Sequence, residues 1–410
     1  MSFTSVFFLL LFPVFVILYR FVRSTRVRKL WLLSASALFY FYASRRLILV
    51  LLAAIVATYV AGLYLERVRE TIRLKKIGMF IAICFNFSFL IVFKYAAFII
   101  HLVNMLLEKF SFALPIEDTF ALVLPLGLSY YTFKSVGYLM DVYRGKVEAE
   151  HNFIDFALFI SFFPEMIVGP IDRASNLLVQ VKNAAKPSYK NIKNGVLLMI
   201  WGYFLKMVLA DRIGLLVDTV YGDVYRYTGF QILLAVFGYS IQLYSDFAGC
   251  SSIAIGAGET LGFKLPENFK QPYMALSVAD FWRRWHISLT SWFREYLYFP
   301  LGGNRKGNVR KWINVLTVFL VSGLWHGAGG HYLIWGGING IYQCIGSMLK
   351  PIRDRLIHIF RIDRETFGHR LYKRAATFFL ISLAFVFFRA DGISQAVTVL
   401  RQLVRPFNIS

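Results

Sequence analysis

The feature that most constrains this chain is the alternation of long apolar stretches with short basic ones. An α-helix needs about 20 apolar residues to cross the roughly 30 Å hydrocarbon core of a bilayer. Such stretches recur from the first residues to beyond residue 377, and clusters of Lys and Arg separate them. With 58% hydrophobic and 17% charged residues, the chain has too little charge for a water-exposed surface. The pattern predicts an all-α polytopic integral membrane protein whose main partner is the lipid bilayer.

The net charge of +22 is informative because of where the charge lies. A nucleic-acid-binding protein carries its basic residues on a polar surface, whereas here they occupy loops between apolar segments. We therefore expect no nucleic acid partner. Cytoplasmic loops of membrane proteins hold the excess of Lys and Arg. Because basic residues follow the stretch 1–19 and none precede it, the order is the reverse of a signal peptide, and we expect an uncleaved span with its N-terminus outside.

The excess of Lys and Arg in cytoplasmic loops also assigns the remaining segments to one side of the membrane or the other. The basic regions 67–76, 144–146, 251–311 and 350–374 are expected in the cytoplasm, and the loop with Glu108, Glu117 and Asp118 outside. The chain ends in a short tail. About ten spans result. They are expected at 1–19, 30–43, 47–65, 77–100, 119–140, 195–218, 229–250, 312–326, 332–349 and 377–388.

The segment 153–169 interrupts this alternation. It is too short to span comfortably, contains Pro164 and Glu165, and is flanked by basic residues on both sides. We expect a re-entrant segment that enters from the cytoplasm and returns to it. Irregular backbone at membrane depth is tolerated only where protein or a water-filled cavity satisfies its polar groups. The segment therefore indicates a cavity that opens to the cytoplasm.

A stretch rich in tryptophan, 279–301, is expected to form one helix. Its aromatic face follows a spacing of three and four residues and contains Trp282, Trp285, His286, Leu289, Trp292, Phe293 and Tyr296. An amphipathic helix at the membrane interface accounts for that spacing by itself. The adjacent Arg283 and Arg284 also suit the phosphates of a donor such as coenzyme A or a phosphopantetheine arm. Trp282 and Trp285 flank this pair and are further candidates for donor binding.

A second candidate site lies at 321–339, where an apolar stretch ends in Trp325 and His326 and a glycine-rich segment follows. A buried histidine can be a hydrogen-bonded core residue. Ionisable groups within a membrane are costly, however, and are functional candidates by default. A neutral imidazole suits a general base that takes a proton from a hydroxyl. His331 is expected to face the outer loop and to be structural.

Other polar residues within apolar stretches are weaker candidates. Asp246 is either a hydrogen-bonded carboxylate at the end of a helix or a group that orients a catalytic histidine or lines the cavity. Lys206 and the pair Asp211 and Arg212 are expected to form a buried structural charge group. The three cysteines and seven histidines show no metal-ligand spacing, so no metal is expected.

Six segments in this order resemble the membrane-bound O-acyltransferase (MBOAT) family, and in particular its bacterial alginate O-acetylation branch. They lie at 124–146, 162–173, 244–273, 279–307, 324–328 and 387–390. The teichoic-acid D-alanyl-transfer proteins of the same family are more distant. The resemblance covers most of the chain from about residue 120 onward, and we expect one membrane domain. It would comprise N-terminal spans (1–119), an MBOAT-like core (120–349) and a basic loop with the last span (350–410).

The resemblance implies helices around a central funnel or tunnel, and acyl transfer from a cytoplasmic thioester towards an acceptor on the other side. The essential histidine of the family maps to His326 in its WHG motif, and a second recurring histidine, in the motif RRWHIS, maps to His286. The expected function is O-acetylation of an extracytoplasmic polysaccharide or other envelope polymer, directly or through a partner protein, in the cytoplasmic membrane. No bound cofactor is expected, and the donor is acetyl-coenzyme A or an acyl carrier protein. Two alternatives stay open: D-alanyl transfer from a carrier protein, and a non-catalytic conduit for an acyl group.

Overall fold

The structure, a computed structural model, describes residues 3–109 and 125–405. Every regular element in these two ranges is helical, which confirms the all-α class. The predicted outer residues Glu117 and Asp118 and the start of the span 119–140 lie outside the described residues. The α-helices are α1 (Val6–Phe21), α2 (Thr25–Ser44), α3 (Ile48–Arg67), α4 (Ile72–Leu90), α5 (Ala96–Lys109), α6 (Leu128–Tyr143), α7 (Phe153–Ser161), α8 (Val179–Asn183), α9 (Tyr189–Tyr203), α10 (Asp211–Gly222), α11 (Phe230–Thr260), α12 (Val278–Arg284), α13 (Ile287–Phe293), α14 (Gly307–His326), α15 (Gly330–Met348), α16 (Lys350–Ile359), α17 (Phe367–Arg389) and α18 (Ile393–Leu403).

The apolar surface of several helices is not covered by protein. Within the described ranges, four helices are long and apolar enough to cross a bilayer: Ile48–Arg67, Ile72–Tyr95, Phe230–Thr260 and Phe367–Arg389. In the first two, only 33% and 22% of the most apolar window is buried inside the protein. Apolar side chains left outside the core need an apolar solvent, which lipid tails supply. The chain is therefore a multi-pass membrane protein.

The chain divides into two compact units. The first unit comprises Met1–Tyr203 and Cys250–Pro266, and the second comprises Phe204–Gly249 and Glu267–Ser410. Helix α11 contributes its first part to the second unit and its last turns to the first.

In the first unit, α3, α4 and α6 pack against one another and α2 packs on α7. Helix α7 has nine residues, so it rises only about 14 Å and is too short to cross a bilayer. Beyond it the chain turns through a short 3-10 segment that carries Glu165. Lys134 Nζ lies 2.6 Å from Glu165 Oε2, and both side chains are almost fully buried. This buried contact holds the irregular segment against α6.

Some boundaries differ from those predicted. The span expected to end at residue 250 continues to Thr260, because small residues let α11 pack closely: a Cβ on Gly256 would lie 2.5 Å from the carbonyl oxygen of Gly195. The region 350–374, expected as a loop, contains α16 and the start of α17. The expected C-terminal tail contains α18, which buries Ala396 and Val399 on one face. Their i, i+3 spacing is that of an amphipathic helix.

The second unit is built around the hairpin of α14 and α15, and α17 packs against α15. Large aromatic side chains fill its core, and Trp335, Phe281 and Phe385 are almost completely buried. The short helices α12 and α13 follow each other next to this hairpin, and α12 contacts both α15 and α17. The predicted site residues around residues 279–301 and 321–339 therefore belong to one packed unit.

Candidate functional site

Glycines allow α14 and α15 to approach closely at the end that carries His326. A Cβ on Gly323 would lie 2.3 Å from the carbonyl oxygen of Tyr332, and one on Gly336 would lie 2.3 Å from that of Phe319. Real Cβ atoms do not come so near to backbone atoms, so both positions require glycine. Helix α14 ends at His326, where Gly327 adopts an extended conformation. The extended backbone at Gly327 ends the helix and makes His326 its last residue.

His326 lies among aromatic rings. The centroid of its imidazole is 4.7 Å from that of Trp325, 5.0 Å from that of Trp335 and 5.0 Å from that of Phe388, each in an edge-to-face arrangement. The histidine itself is half-buried. An imidazole that is partly exposed beside apolar walls can meet a substrate while little water surrounds the reacting groups. Electrostatic interactions between the reacting groups are stronger where water is excluded.

The single helix predicted for 279–301 is wrong in its middle. Helix α12 ends at Arg284, Trp285 is extended, His286 adopts a left-handed conformation with φ 43° and ψ 56°, and α13 begins at Ile287. At the break, the Lys270 amide donates to the Arg284 carbonyl and the Ile287 amide to the Asn268 carbonyl, so the segment 268–270 takes up backbone groups next to His286. A non-glycine residue in this conformation costs about 1–2 kcal/mol. Such outliers cluster at functional sites.

His286 is enclosed, unlike His326. It is 2% exposed, its ring centroid lies 4.6 Å from that of Phe247, and its Nε2 has no hydrogen-bond partner among the described residues. Burial lowers the pKa of His286, which lies outside the four spanning helices, to about 3. The imidazole is therefore neutral at physiological pH, because burial penalises the charged form.

The two histidines lie on either side of one tryptophan. The ring centroid of Trp325 is 6.0 Å from that of His286 and 4.7 Å from that of His326. Trp282 and Trp285 pack in the same aromatic core, and the Trp282 indole donates a 3.2 Å hydrogen bond to Asn339 Oδ1. The structure thus brings together both predicted histidines and all three predicted tryptophans.

The predicted pair of arginines separates in the structure. The Arg283 side chain is 68% exposed and lies 3.5 Å from Asp280 Oδ1. Arg284 Nε donates to the same carboxylate at 3.1 Å, and the Arg284 side chain lines an open cavity. Burial raises the pKa of Asp280, but hydrogen bonds from Arg284 and the Leu276 amide, together with the charges of both arginines, hold it below its usual range. Only Arg284 of the two is placed to meet a ligand in that cavity.

Asp246 is paired with a lysine. Lys206 Nζ lies 2.6 Å from Asp246 Oδ1 and 2.7 Å from Asp211 Oδ1. Lys206 stands in a seven-residue π-helical segment, Phe204–Ala210, and π turns frequently mark functional sites. The Lys206 side chain is 26% exposed and that of Asp211 is 50% exposed, and Arg212 is exposed as well, so the prediction of a buried charge group is wrong for the pair Asp211 and Arg212.

Several residues of this region were not singled out in the sequence. They are Phe247 and Asn268 around His286, Trp335 and Phe388 around His326, and Arg370 and Arg374 at the cavity of Arg284. Arg370 and Arg374 are four residues apart, which places both on one face of a helix. This spacing is the sequence feature that could have indicated them as a pair. No cluster of His, Cys, Asp or Glu that could hold a metal ion occurs in the part of the chain that the structure describes.

Comparison with known proteins places this arrangement in a family. The model of the MBOAT, membrane-bound O-acyltransferase family, matches residues 146–388. The chain is 36% identical to the probable alginate O-acetylase AlgI of Pseudomonas putida over 97% of this chain and 79% of the relative. It is 34% identical to the peptidoglycan O-acetyltransferase of Helicobacter pylori over 95% and 76%.

A more distant relative is the teichoic acid D-alanyltransferase of Bacillus subtilis, which is 31% identical over 52% of this chain and 56% of the relative. The match to the family model includes both candidate histidines and the tryptophan between them. The chain belongs to the membrane-bound O-acyltransferase family and is an acyltransferase of the membrane.

Proposed function

We propose that this protein is an O-acetyltransferase that modifies hydroxyl groups of an extracytoplasmic polysaccharide, directly or through a partner protein on that side. The acyl group comes from a cytoplasmic thioester. The observation that carries the proposal is the half-buried imidazole of His326 at the end of α14, in contact with three aromatic rings. Relatives that act on alginate and on peptidoglycan match nearly the whole chain, which supports a polysaccharide acceptor.

In the proposed reaction, His326 is the general base. It takes the proton from the acceptor hydroxyl while the oxygen attacks the thioester carbonyl carbon. The carbon–sulfur bond then breaks, and the proton passes from His326 to the leaving thiolate. The products are an ester and a free thiol. Aromatic walls around the imidazole limit access of bulk water, which would otherwise hydrolyse the thioester.

The other predicted site residues take supporting roles in this proposal. His286 stays neutral and positions Trp325, and Trp282 and Trp285 hold the segment that carries it. Arg284 meets the donor, and the exposed Arg283 attracts it through its charge. Asp246 keeps Lys206 in place within the second unit.

The proposal includes a topology. About ten spans and a cytoplasmic re-entrant segment form one membrane domain around a funnel, with the segments 1–119, 120–349 and 350–410. The N-terminus lies outside the cytoplasmic membrane, so that the basic loops face the donor. The nine-residue length of α7 supports the re-entrant placement of 153–169.

The test is a transfer assay with purified protein in neutral detergent. Labelled acetyl-coenzyme A, an acetyl carrier protein and a D-alanyl carrier protein are supplied in turn, with alginate or peptidoglycan fragments as acceptors. We expect acetyl transfer that His326→Ala reduces by about 10³-fold, within the usual range for a general base. His331→Ala is the matched control, because His331 lies on the same hairpin and packs on Tyr332 instead.

Each other outcome has a definite meaning. Transfer that is unchanged in His326→Ala contradicts the proposal. Transfer of D-alanine alone assigns the chain to the D-alanyl alternative, which the partial match to teichoic acid D-alanyltransferase favours. If no thioester reacts but the acyl group moves across the membrane of proteoliposomes, the protein is a non-catalytic conduit.

A further inference from the structure

An open cavity of about 650 Å³ lies within the second unit, next to the aromatic core. Three arginines line it: Arg284 at the end of α12, and Arg370 and Arg374 one turn apart near the start of α17. The sequence places Arg284 in a tryptophan-rich motif and the other two in a basic stretch far along the chain. Only the packing of α12 against α17 brings the three guanidinium groups to one cavity.

The charges of these arginines are only partly compensated. Arg284 is paired with Asp280, and Arg370 is paired with the exposed Glu365. Arg374 makes no hydrogen bond or ion pair with any described residue. The Nε atoms of Arg370 and Arg374 are both buried and have no hydrogen-bond partner in the described part of the chain. The cavity thus has excess positive charge and two buried donors without acceptors.

Such an arrangement selects for an anion with several oxygen atoms. Three guanidinium groups line the cavity and only two carboxylates are paired with them, so a ligand with negatively charged oxygen atoms balances the remaining positive charge. Guanidinium groups bind phosphate through two parallel hydrogen bonds. A cavity of this size is in the range that small-molecule ligands occupy.

The position of the cavity relates it to the candidate active site. Tyr244 and Tyr273 line it, and their ring centroids lie 6.3 and 6.2 Å from that of Trp285. Trp285 directly precedes His286, and Arg284 directly precedes Trp285. A molecule whose phosphates are held by these arginines is therefore anchored beside the segment that packs against Trp325.

We propose that Arg284, Arg370 and Arg374 form a binding site for the phosphate groups of the acyl donor, a phosphopantetheine thioester. The inference rests on the proposed function, which supplies that donor. It assigns to Arg370 and Arg374 a role in donor binding, and it places the donor's phosphates at one end of the aromatic core. Arg283, which faces outward, is not part of the site.

The experiment measures binding separately from catalysis. Coenzyme A, phosphopantetheine and pantetheine are titrated calorimetrically into the purified full chain in neutral detergent. The variants are Arg374→Gln, Arg374→Lys and, as a control for charge, Arg355→Gln on the exposed face of α16. Because Arg374 makes no hydrogen bond or ion pair with the described residues, Arg374→Gln is expected to fold, and thermal unfolding of each variant checks this.

We expect Arg374→Gln to raise the Kd of coenzyme A and of phosphopantetheine about tenfold, in line with loss of a hydrogen bond to a charged group. Arg374→Lys keeps the charge and loses the paired geometry, so its Kd should rise about threefold. Arg355→Gln should leave it unchanged, and pantetheine, which has no phosphate, should not distinguish the variants. In turnover, Arg374→Gln should raise the KM for the donor and leave kcat within about twofold.

Equal Kd values for coenzyme A in the wild type, Arg374→Gln and Arg355→Gln overturn the site. Absence of binding of both phosphorylated compounds to the wild type does the same. Anionic lipid that displaces coenzyme A only where Arg374 is present, without donor turnover, assigns the arginines to a lipid headgroup and also overturns it. His326→Ala should bind coenzyme A normally. A failure of the proposed function therefore appears in the His326 assay, whereas a failure of this site appears in the binding data.

Discussion

The two histidines of the second unit lie on either side of Trp325 and yet occupy opposite environments. His326 ends a long helix, is half-buried and is surrounded by three aromatic rings. His286 stands between two short helices in a left-handed conformation and is 2% exposed. A general base must reach the proton that it abstracts. The difference supports our proposal that His326 transfers the proton and that His286 has a positioning role.

The largest expected effect is the loss of kcat on removal of the base at His326, which distinguishes its role from that of His286. His326→Gln keeps a polar side chain of similar size but supplies no base, so kcat should fall about 10³-fold. The KM for the donor should change little, because the imidazole acts mainly in the transition state. Steady-state acetyl transfer measures both. A variant that retains more than a tenth of the wild-type kcat would contradict the assignment.

The second prediction displaces His326 without altering it. Gly323→Ala places a Cβ 2.3 Å from the Tyr332 carbonyl oxygen, so α14 and α15 must move apart. A misplacement of about 1 Å can cost about 10²-fold in rate. We expect a loss of that order and lower thermal stability. Gly346→Ala on α15 is the matched control, since no atom lies within 4 Å of its added Cβ, and it should be neutral or slightly stabilising.

The third prediction concerns the backbone of His286. Asn tolerates the left-handed conformation, whereas β-branched Val does not. His286→Asn should fold and lose about tenfold in kcat as Trp325 loses its neighbour. His286→Val should also be destabilised by about 2 kcal/mol or more. Thermal unfolding and transfer rates separate the two effects. A loss of about 10³-fold in His286→Asn would instead show that this imidazole takes part in the chemistry.

The smallest effect is on pH dependence. Burial lowers the pKa of His286 from about 6.5 to about 3, so the unfolded chain binds a proton at this residue that the folded protein excludes. The folded state therefore loses stability as the pH falls below about 6.5. The loss is up to about 1.4 kcal/mol per pH unit, and it ends as the pH approaches about 3. Between pH 7 and pH 5, the melting temperature of His286→Asn should fall less than that of the wild type.

The buried carboxyl groups of the first unit have the opposite effect on stability as the pH falls, and they have it equally in the wild type and in His286→Asn. Burial raises the pKa of Glu165 to about 8 and that of Asp172 to about 6. The comparison of the two proteins therefore isolates the histidine. Identical slopes of melting temperature against pH would contradict the enclosure of His286.

The sequence allowed several parts of this site to be predicted. His326 stands where an apolar stretch meets glycines, and both signals are local, so the helix end was predictable. The aromatic periodicity around His286 was also visible, but it predicted one helix across the break. Periodicity describes only the spacing of residues along the chain, whereas the hydrogen bonds at the break are made with the distant residues Asn268, which accepts, and Lys270, which donates. The pairing of Lys206 with Asp246 depends likewise on how separate helices pack.

By itself, the sequence determined the solvent and the class of this protein. Long apolar stretches require lipid, and they form helices because no water is available there to satisfy the backbone. The ordered motifs resembled the family to which the chain belongs. Only the tertiary structure decided which histidine is enclosed, which arginine of the adjacent pair enters the cavity, and that Arg370 and Arg374 meet Arg284 there. Apolarity and helix ends are properties of neighbouring residues, whereas burial and the meeting of distant charges exist only after the helices have packed.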